Sequence, residues 1–96
     1  MQKVILISEE NHGTIGVATS MRAAFQFLIQ HGWLSFTDDF YLFDKWTPIS
    51  KIFEDNGWEQ TEENLLEWAM MPTLDWDGMF YFGETTLHEE EQYERN

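Results

Sequence analysis

The chain has 96 residues, of which 43% are hydrophobic and 17% aromatic, and this composition excludes a disordered acidic tail. Its formal net charge of −13 disfavours direct binding to nucleic acid or to anionic lipid. The absence of cysteine excludes disulfides and thiolate metal sites and favours a reducing compartment. The longest apolar run near the start, Val4-Ile5-Leu6-Ile7, is too short for a signal peptide or a membrane span. We therefore expect a single cytoplasmic domain over residues 1–96.

A β-hairpin is the first predicted element. Residues 4–7 and 15–17 are apolar and rich in β-branched side chains, and a stretch of turn residues separates them. Asn11 or Gly13 supplies the positive φ angle that such a turn requires. The pattern predicts two short antiparallel strands.

A helix follows, capped by Thr19 or Ser20 and running to about Gln30. Gly32 is well placed to end it. Its apolar residues recur at i, i+3, i+4, i+7 and i+8, the spacing of one helix face. These residues are Met21, Ala24, Phe25, Leu28 and Ile29.

Residues 40–43 are predicted to form a buried strand, because all four side chains are apolar or aromatic. Thr47-Pro48 then predicts a helix start, in which the threonine hydroxyl caps the helix and proline occupies the first turn. Asn56-Gly57 is expected to end this short helix.

Thr61 is predicted to cap a third helix, from about Glu62 to Met70 or Met71, which Pro72 closes. Residues 79–82 are predicted to form a last strand, which can extend to Leu87.

These elements predict an α+β architecture. We expect a small, mostly antiparallel sheet of three to four strands, with one long amphipathic helix packed on it and two short helices. Residues 89–96 have little to bury and are predicted to form a frayed tail.

Catalytic and metal-binding patterns are incomplete. Glu9-x-x-His12 has the spacing of carboxylate-bridged metal sites, but those sites need two such pairs on helices, and this single pair lies in a predicted turn. Asp75-x-Asp77-Gly78 is typical of the start of a calcium loop, yet position twelve, which should be glutamate, is Thr86. We therefore predict no enzyme, no cofactor and no metal site.

The distribution of charge is more informative. Residues 1–35 are neutral, whereas residues 36–96 hold 16 acids against three basic residues, together with four of the five tryptophans. Solubility alone typically needs a net charge of only about 2–8 in a small domain. Carboxylates can copy the spacing of phosphates while exposed aromatic residues anchor the contact. Alternatively, the tryptophans fill the core and the acids merely face solvent; two or three tryptophans are expected in the core in either case.

The run Ser8-Glu9-Glu10-Asn11-His12-Gly13-Thr14-Ile15-Gly16-Val17-Ala18, with the helix that follows through Trp33-Leu34, resembles small proteins carried by phages and mobile elements of Gram-positive bacteria. In size and acidity the chain is also similar to anti-CRISPR and other anti-defence proteins, some of which occupy the DNA-binding cleft of their target. The first resemblance covers roughly residues 4–34 and brings no catalytic residues with it.

The first hypothesis is therefore a small acidic inhibitor or DNA mimic that occupies the basic, nucleic-acid-binding surface of a partner such as a defence nuclease. The partner-binding residues that we predict are the acids around the two short helices and one tryptophan anchor. They are Asp38, Asp39, Glu54, Asp55, Trp58, Glu59, Glu62, Glu63 and Glu67.

Two alternatives remain open. The first helix is apolar on more than one side, because Ala23 and Phe27 lie off its main stripe, and this fits burial from two sides, either within the monomer or at a homodimer interface. The second hypothesis is therefore a homo-oligomeric scaffold with incidental acidity. A metal-dependent or hydrolytic enzyme would require His12 and His88 to lie near carboxylates in a concave pocket.

Overall fold

The structure, a computed structural model, describes residues 2–87. The α+β class is confirmed, and the elements of these residues in chain order are β1 (Gln2–Glu9), β2 (Gly13–Ala18), α1 (Met21–Gln30), β3 (Asp39–Leu42), β4 (Lys45–Pro48), α2 (Ile49–Asp55), α3 (Glu62–Ala69) and β5 (Phe80–Leu87). The described residues divide into two compact units, a sheet unit over residues 2–24 and 75–87 and a helical unit over residues 25–74. The tail predicted for residues 89–96 lies outside the described residues.

The sheet unit contains a three-stranded antiparallel sheet in the order β2-β1-β5. The predicted β1–β2 hairpin is confirmed, and Gly13 adopts the expected positive φ of 72°. The register with β2 shifts by one residue between Ile7, which is opposite Gly16, and Ser8, which is opposite Thr14. The central strand β1 is bonded along its whole length to β5, from Gln2 opposite Leu87 to Glu9 opposite Phe80.

Helix α1 begins and ends where the sequence predicts. The Ser20 hydroxyl accepts a hydrogen bond from the Ala23 amide at 3.1 Å. At the other end, the Trp33 amide donates to the Leu28 carbonyl, and the amide of Gly32, which has a φ of 78°, donates to the Ile29 carbonyl. These two bonds form a Schellman motif. The helix has ten residues, so its description as a long helix is not confirmed.

The strand predicted over residues 40–43 is found as β3, but the expectation that it is buried throughout is wrong, because only Phe40 of this strand is buried. It belongs to a separate two-stranded sheet in which β3 pairs with β4. Phe43 and Asp44 form the turn between the strands, with φ angles of 51° and 63°. Because side chains alternate along a strand, Phe40 is buried, whereas Tyr41 faces solvent and Phe43, in the turn, is 91% exposed.

The prediction that Thr47 caps the second helix is also wrong. Thr47 lies within β4, and Pro48 occupies the cap position of α2 without a side-chain cap. The first amides of α2 are satisfied by backbone carbonyls of the loop before β3: Ile49 donates to Asp38 at 2.9 Å and Ser50 to Phe36 at 3.0 Å. Backbone groups distant in sequence thus replace the local cap.

The remaining helix boundaries follow local signals. Asn56 and Gly57 end α2, because Gly57, at φ 70°, donates to Glu54 while Trp58 donates to Phe53. The Thr61 hydroxyl caps α3 by accepting from the Asn64 amide at 3.1 Å, as predicted. None of the helices among residues 2–87 has the length and hydrophobicity that crossing a bilayer requires.

Phe53 lies at the centre of an aromatic cluster in the helical unit. Its side chain is only 1% exposed, and its ring contacts those of Phe36, Trp58 and Trp68 with centroid distances of 5.0, 5.5 and 5.8 Å. All three contacts are edge-to-face, an arrangement that aromatic quadrupoles favour. Phe40 joins the cluster through Trp68 at 5.3 Å. The cluster therefore links β3, α2, α3 and the loop after α2.

Replacing Phe53 by alanine is expected to lower the free energy of unfolding by about 3–5 kcal/mol, because it removes a buried ring and three aromatic contacts. Urea denaturation followed by tryptophan fluorescence measures the loss. Phe43→Ala is the matched control, since this exposed ring should change stability by no more than about 0.5 kcal/mol. Equal effects of the two substitutions would contradict the central position of Phe53.

Candidate functional site

Six of the predicted binding acids lie in one continuous stretch, residues 54–67, which we call the acidic segment. It runs from the end of α2 through the connecting loop into α3 and contains no lysine, arginine or histidine. All six carboxylate residues are exposed: Glu54, Asp55, Glu59, Glu62, Glu63 and Glu67. The sequence prediction thus corresponds to a solvent-facing surface at these positions.

The other two predicted acids lie elsewhere. Asp38 is half-buried, and its carboxylate accepts a hydrogen bond from the Ser35 amide at 2.8 Å, so it holds a turn together. Asp39 is exposed at the start of β3, opposite Pro48. Both lie near the first turn of α2, at the opposite end of that helix from Asp55. The structure therefore separates these two acids from the end of α2 at which the acidic segment begins.

Three of the six acids are placed where helix electrostatics disfavour them. The C-terminus of a helix carries a partial negative charge, and Glu54, Asp55 and Glu67 lie in the last turns of α2 and α3. Neither last turn contains a basic residue. Asp55 pairs with Lys51 at 3.3 Å, but both side chains are more than half exposed, so the pair stabilises little. Only Glu62 and Glu63, in the first turn of α3, are favourably placed.

A groove of about 400 Å³ lies beside the acidic segment, within the helical unit. Its apolar lining includes the aromatic side chains of Phe53, Trp58 and Trp68, and Met71. Glu59 and Glu67 also line it, and none of its lining residues within the described part of the chain is basic. The groove therefore combines aromatic surface with negative charge.

Hydrogen bonds hold the loop that borders this groove. The Trp58 amide donates to the Phe53 carbonyl at 2.9 Å, and the Asn64 side-chain amide donates to the Glu59 carbonyl at 2.9 Å. The Gln60 side chain donates to the Ser50 carbonyl at 3.4 Å. Because these bonds tie the loop to both helices, Trp58 and Glu59 are positioned before any ligand binds.

The tryptophans divide between core and surface as predicted. Trp68 and Trp76 are buried, in agreement with the expectation that two or three of the five would be. Trp58, the predicted exposed anchor, is 44% exposed. Trp46 is more exposed still, at 61%, and was not predicted as a surface residue.

Trp46 belongs to an exposed aromatic face on the β3–β4 hairpin, which the sequence prediction missed. Its ring lies 5.2 Å from that of Tyr41 on the paired strand, and Tyr41 is 53% exposed. Phe43 in the turn is the most exposed aromatic residue of this face. The polar pair Asp44-Lys45 inside an aromatic run is the signal that could have revealed the turn.

Glu9 and His12 do come together, in the turn between β1 and β2. The Glu9 carboxylate accepts a hydrogen bond from the Asn11 amide at 2.7 Å and lies 2.8 Å from Nδ1 of His12. Across residues 2–87, no group of three histidine, aspartate or glutamate residues comes close enough to hold a metal ion. His88, the other histidine of the enzyme hypothesis, lies outside the described residues. Asp75 accepts from the amide of Asp77 at 2.9 Å, which is a local turn.

Comparison of the chain with protein-family models, with curated proteins and with solved structures finds no match.

The pKa of Glu9 is expected to lie below the usual glutamate value, chiefly because of its hydrogen bond with His12 and also because of the Asn11 amide. A depressed pKa in the folded state means that Glu9 stabilises the fold above the ordinary glutamate pKa of about 4.3. This stabilisation is lost as the pH falls through the folded value. An NMR titration of the Glu9 carboxyl carbon measures the pKa directly.

The His12→Ala variant should raise the Glu9 pKa toward its ordinary value. Asn11→Ala is the control, because it keeps the backbone donor and should leave the midpoint unchanged. A Glu9 midpoint that is the same in wild type and His12→Ala would contradict the assignment.

Proposed function

We propose that this chain is a small acidic binding protein that occupies a basic, nucleic-acid-binding surface of a partner, such as a defence nuclease. The observation that carries the proposal is the acidic segment: six exposed carboxylates without a basic residue, on two helices and a loop held by hydrogen bonds. A surface of this kind complements a groove that has evolved to bind phosphates.

The cost of this arrangement supports a role in binding. Glu54, Asp55 and Glu67 each oppose a helix dipole, at about 0.3–1 kcal/mol per charge. Glu63 and Glu67 are four residues apart on α3, where like charges repel by about 0.2–0.5 kcal/mol. Stability alone would favour lysine or arginine at these C-terminal positions. A basic partner would offset the repulsion on binding.

Neutralising part of the acidic segment is expected to weaken capture of the partner. In the fourfold variant Glu54→Gln, Glu59→Gln, Glu62→Gln and Glu63→Gln, each lost charge contributes about 0.5 kcal/mol, so binding should fall roughly 30-fold. The immobilised protein is incubated with host lysate at about 100 mM salt, and captured proteins are identified by mass spectrometry. Among the captured proteins we expect basic nucleic-acid-binding proteins. Duplex DNA should displace them, and higher salt should release them.

The control changes the same amount of charge elsewhere. Glu10→Gln, Asp44→Asn, Asp77→Asn and Glu84→Gln together also raise the net charge from −13 to −9, at exposed positions outside the segment. This variant should retain its captured proteins. The proposal fails if both variants behave alike, or if duplex DNA does not compete.

A second candidate function is self-association through the exposed aromatic face of the hairpin. Tyr41, Phe43 and Trp46 together present an apolar surface of the kind that often marks an interface. Helix α1 offers less surface to a second copy of the chain, because Ala23 and Phe27, the residues outside its main apolar stripe, are already half-buried. A homo-oligomer would therefore use the hairpin rather than α1.

If the hairpin face forms a dimer, light scattering after gel filtration should give twice the mass of the 11.5 kDa chain. Trp46→Ala should shift the protein toward monomer, because large exposed aromatic residues dominate interface energetics. Trp58→Ala, which alters the other exposed tryptophan, should leave the mass unchanged. A monomer at all concentrations, or equal effects of the two variants, would rule out this candidate.

A further inference from the structure

The groove beside the acidic segment has the features of a preformed binding site. Its volume of about 400 Å³ falls within the range of about 300–1,000 Å³ that is typical of ligand pockets. The bonds from Trp58 to Phe53 and from Asn64 to Glu59 fix the loop on one side. Helix α3, capped by Thr61, forms the other side. A ligand would therefore pay little ordering entropy on entry.

The aromatic residues of the groove differ in how much surface they offer. Phe53 and Trp68 are buried and form the base of the groove, where their edge-to-face contact at 5.8 Å keeps them in place. Trp58 packs edge-to-face on Phe53 at 5.5 Å and remains 44% exposed. Its indole is thus held firmly while part of its surface stays available to a ligand.

The charge of the groove selects the class of ligand. Glu59 and Glu67 line it, and the nearest acids of the segment add to the same negative potential. A cation placed beside tryptophan gains a cation–π interaction and, next to a carboxylate, a charge-assisted hydrogen bond. An anionic or purely apolar ligand would gain neither. Charge complementarity therefore favours a cationic occupant with some apolar surface.

Among protein cations, arginine fits this combination better than lysine. The guanidinium is planar and weakly hydrated, stacks on aromatic rings and presents a fork of N–H donors to carboxylates. The lysine ammonium is strongly hydrated and cannot stack in this way. The aliphatic part of an arginine side chain can also cover the apolar surface of Met71.

We infer that the groove lined by Trp58, Glu59, Glu67 and Trp68 binds an arginine side chain of the basic partner. This inference deepens the proposed function and rests on it in taking the partner to be basic. The acidic segment supplies long-range attraction, and the groove supplies the specific anchor.

The test uses the 96-residue chain and a short blocked peptide, acetyl-Gly-Arg-Gly-amide, and binding is followed by NMR of the tryptophan indole N–H groups. We expect the Trp58 signal to shift on titration with a Kd of about 1 mM. The Trp58→Phe variant assigns the signal. The citrulline peptide, which has nearly the same shape without the charge, should bind at least about tenfold more weakly, and the lysine peptide about threefold more weakly.

Substitutions then locate the site. Glu59→Gln, an exposed and conservative change, should weaken binding of the arginine peptide about threefold, and Trp58→Ala should weaken it at least about fivefold. The Kd of each variant is measured on the backbone amide signal of Asn64, which lines the groove, because Trp58→Ala has no Trp58 indole signal. Trp46→Ala is the matched control at an exposed tryptophan outside the groove and should leave the Kd unchanged. The inference is overturned if citrulline or lysine peptides bind as well as arginine, if Trp46→Ala has the same effect as Trp58→Ala, or if the Trp58 signal does not move.

Failure of this inference can be told apart from failure of the proposed function. If the arginine peptide does not bind, but capture of proteins that duplex DNA displaces still depends on the acidic segment, the groove inference is wrong. The proposed binding to a nucleic-acid-binding surface then stands. If the peptide binds as expected but no captured protein is displaced by DNA, the arginine site stands and the nucleic-acid-mimicking function falls.

Discussion

The packing of Phe53 is the interaction on which the helical unit and its candidate site depend. This ring is buried between Phe36, Trp58 and Trp68, so it joins the loop before β3 to both short helices. The same contacts form the base of the groove and hold the exposed indole of Trp58 beside it. Core and candidate binding surface therefore share two residues, Phe53 and Trp68. A sequence change that loosened the core at Phe53 would also alter the groove, which restricts how this unit can vary.

Electrostatics act against this packing rather than with it. Two ion pairs of the described residues, Lys3–Glu84 and Lys51–Asp55, are largely exposed and therefore weak. The acids at the helix C-termini add repulsion that apolar burial must offset. In a chain of 96 residues the core is modest, so this excess charge is a substantial burden. This balance supports the proposal that the acidic segment serves to bind a partner.

Local features of the fold could be predicted from the sequence, and non-local ones could not. Caps and helix ends depend on a few adjacent residues, and those predicted at Ser20, Gly32, Gly57 and Thr61 are found. Thr47 was assigned wrongly because the carbonyls that satisfy α2 come from the distant loop at residues 36–38. The acidic segment was predictable because its acids lie close together in the sequence. The groove was not, because it requires the packing of α2 against α3, and the exposed hairpin face was hidden by an unusual turn with bulky Phe43 at positive φ.

The topology of the sheet has a consequence for the order in which the molecule is made. Strand β1 lies between β2 and β5, and its partner β5 is the last strand of the described chain. Pairing Gln2 with Leu87 closes a loop that contains the entire helical unit. Such distant pairings slow folding, since the entropy of loop closure is lost before the contacts form. During synthesis the helical unit, continuous in sequence, can therefore acquire its structure on the ribosome, whereas the sheet is completed only when β5 has emerged.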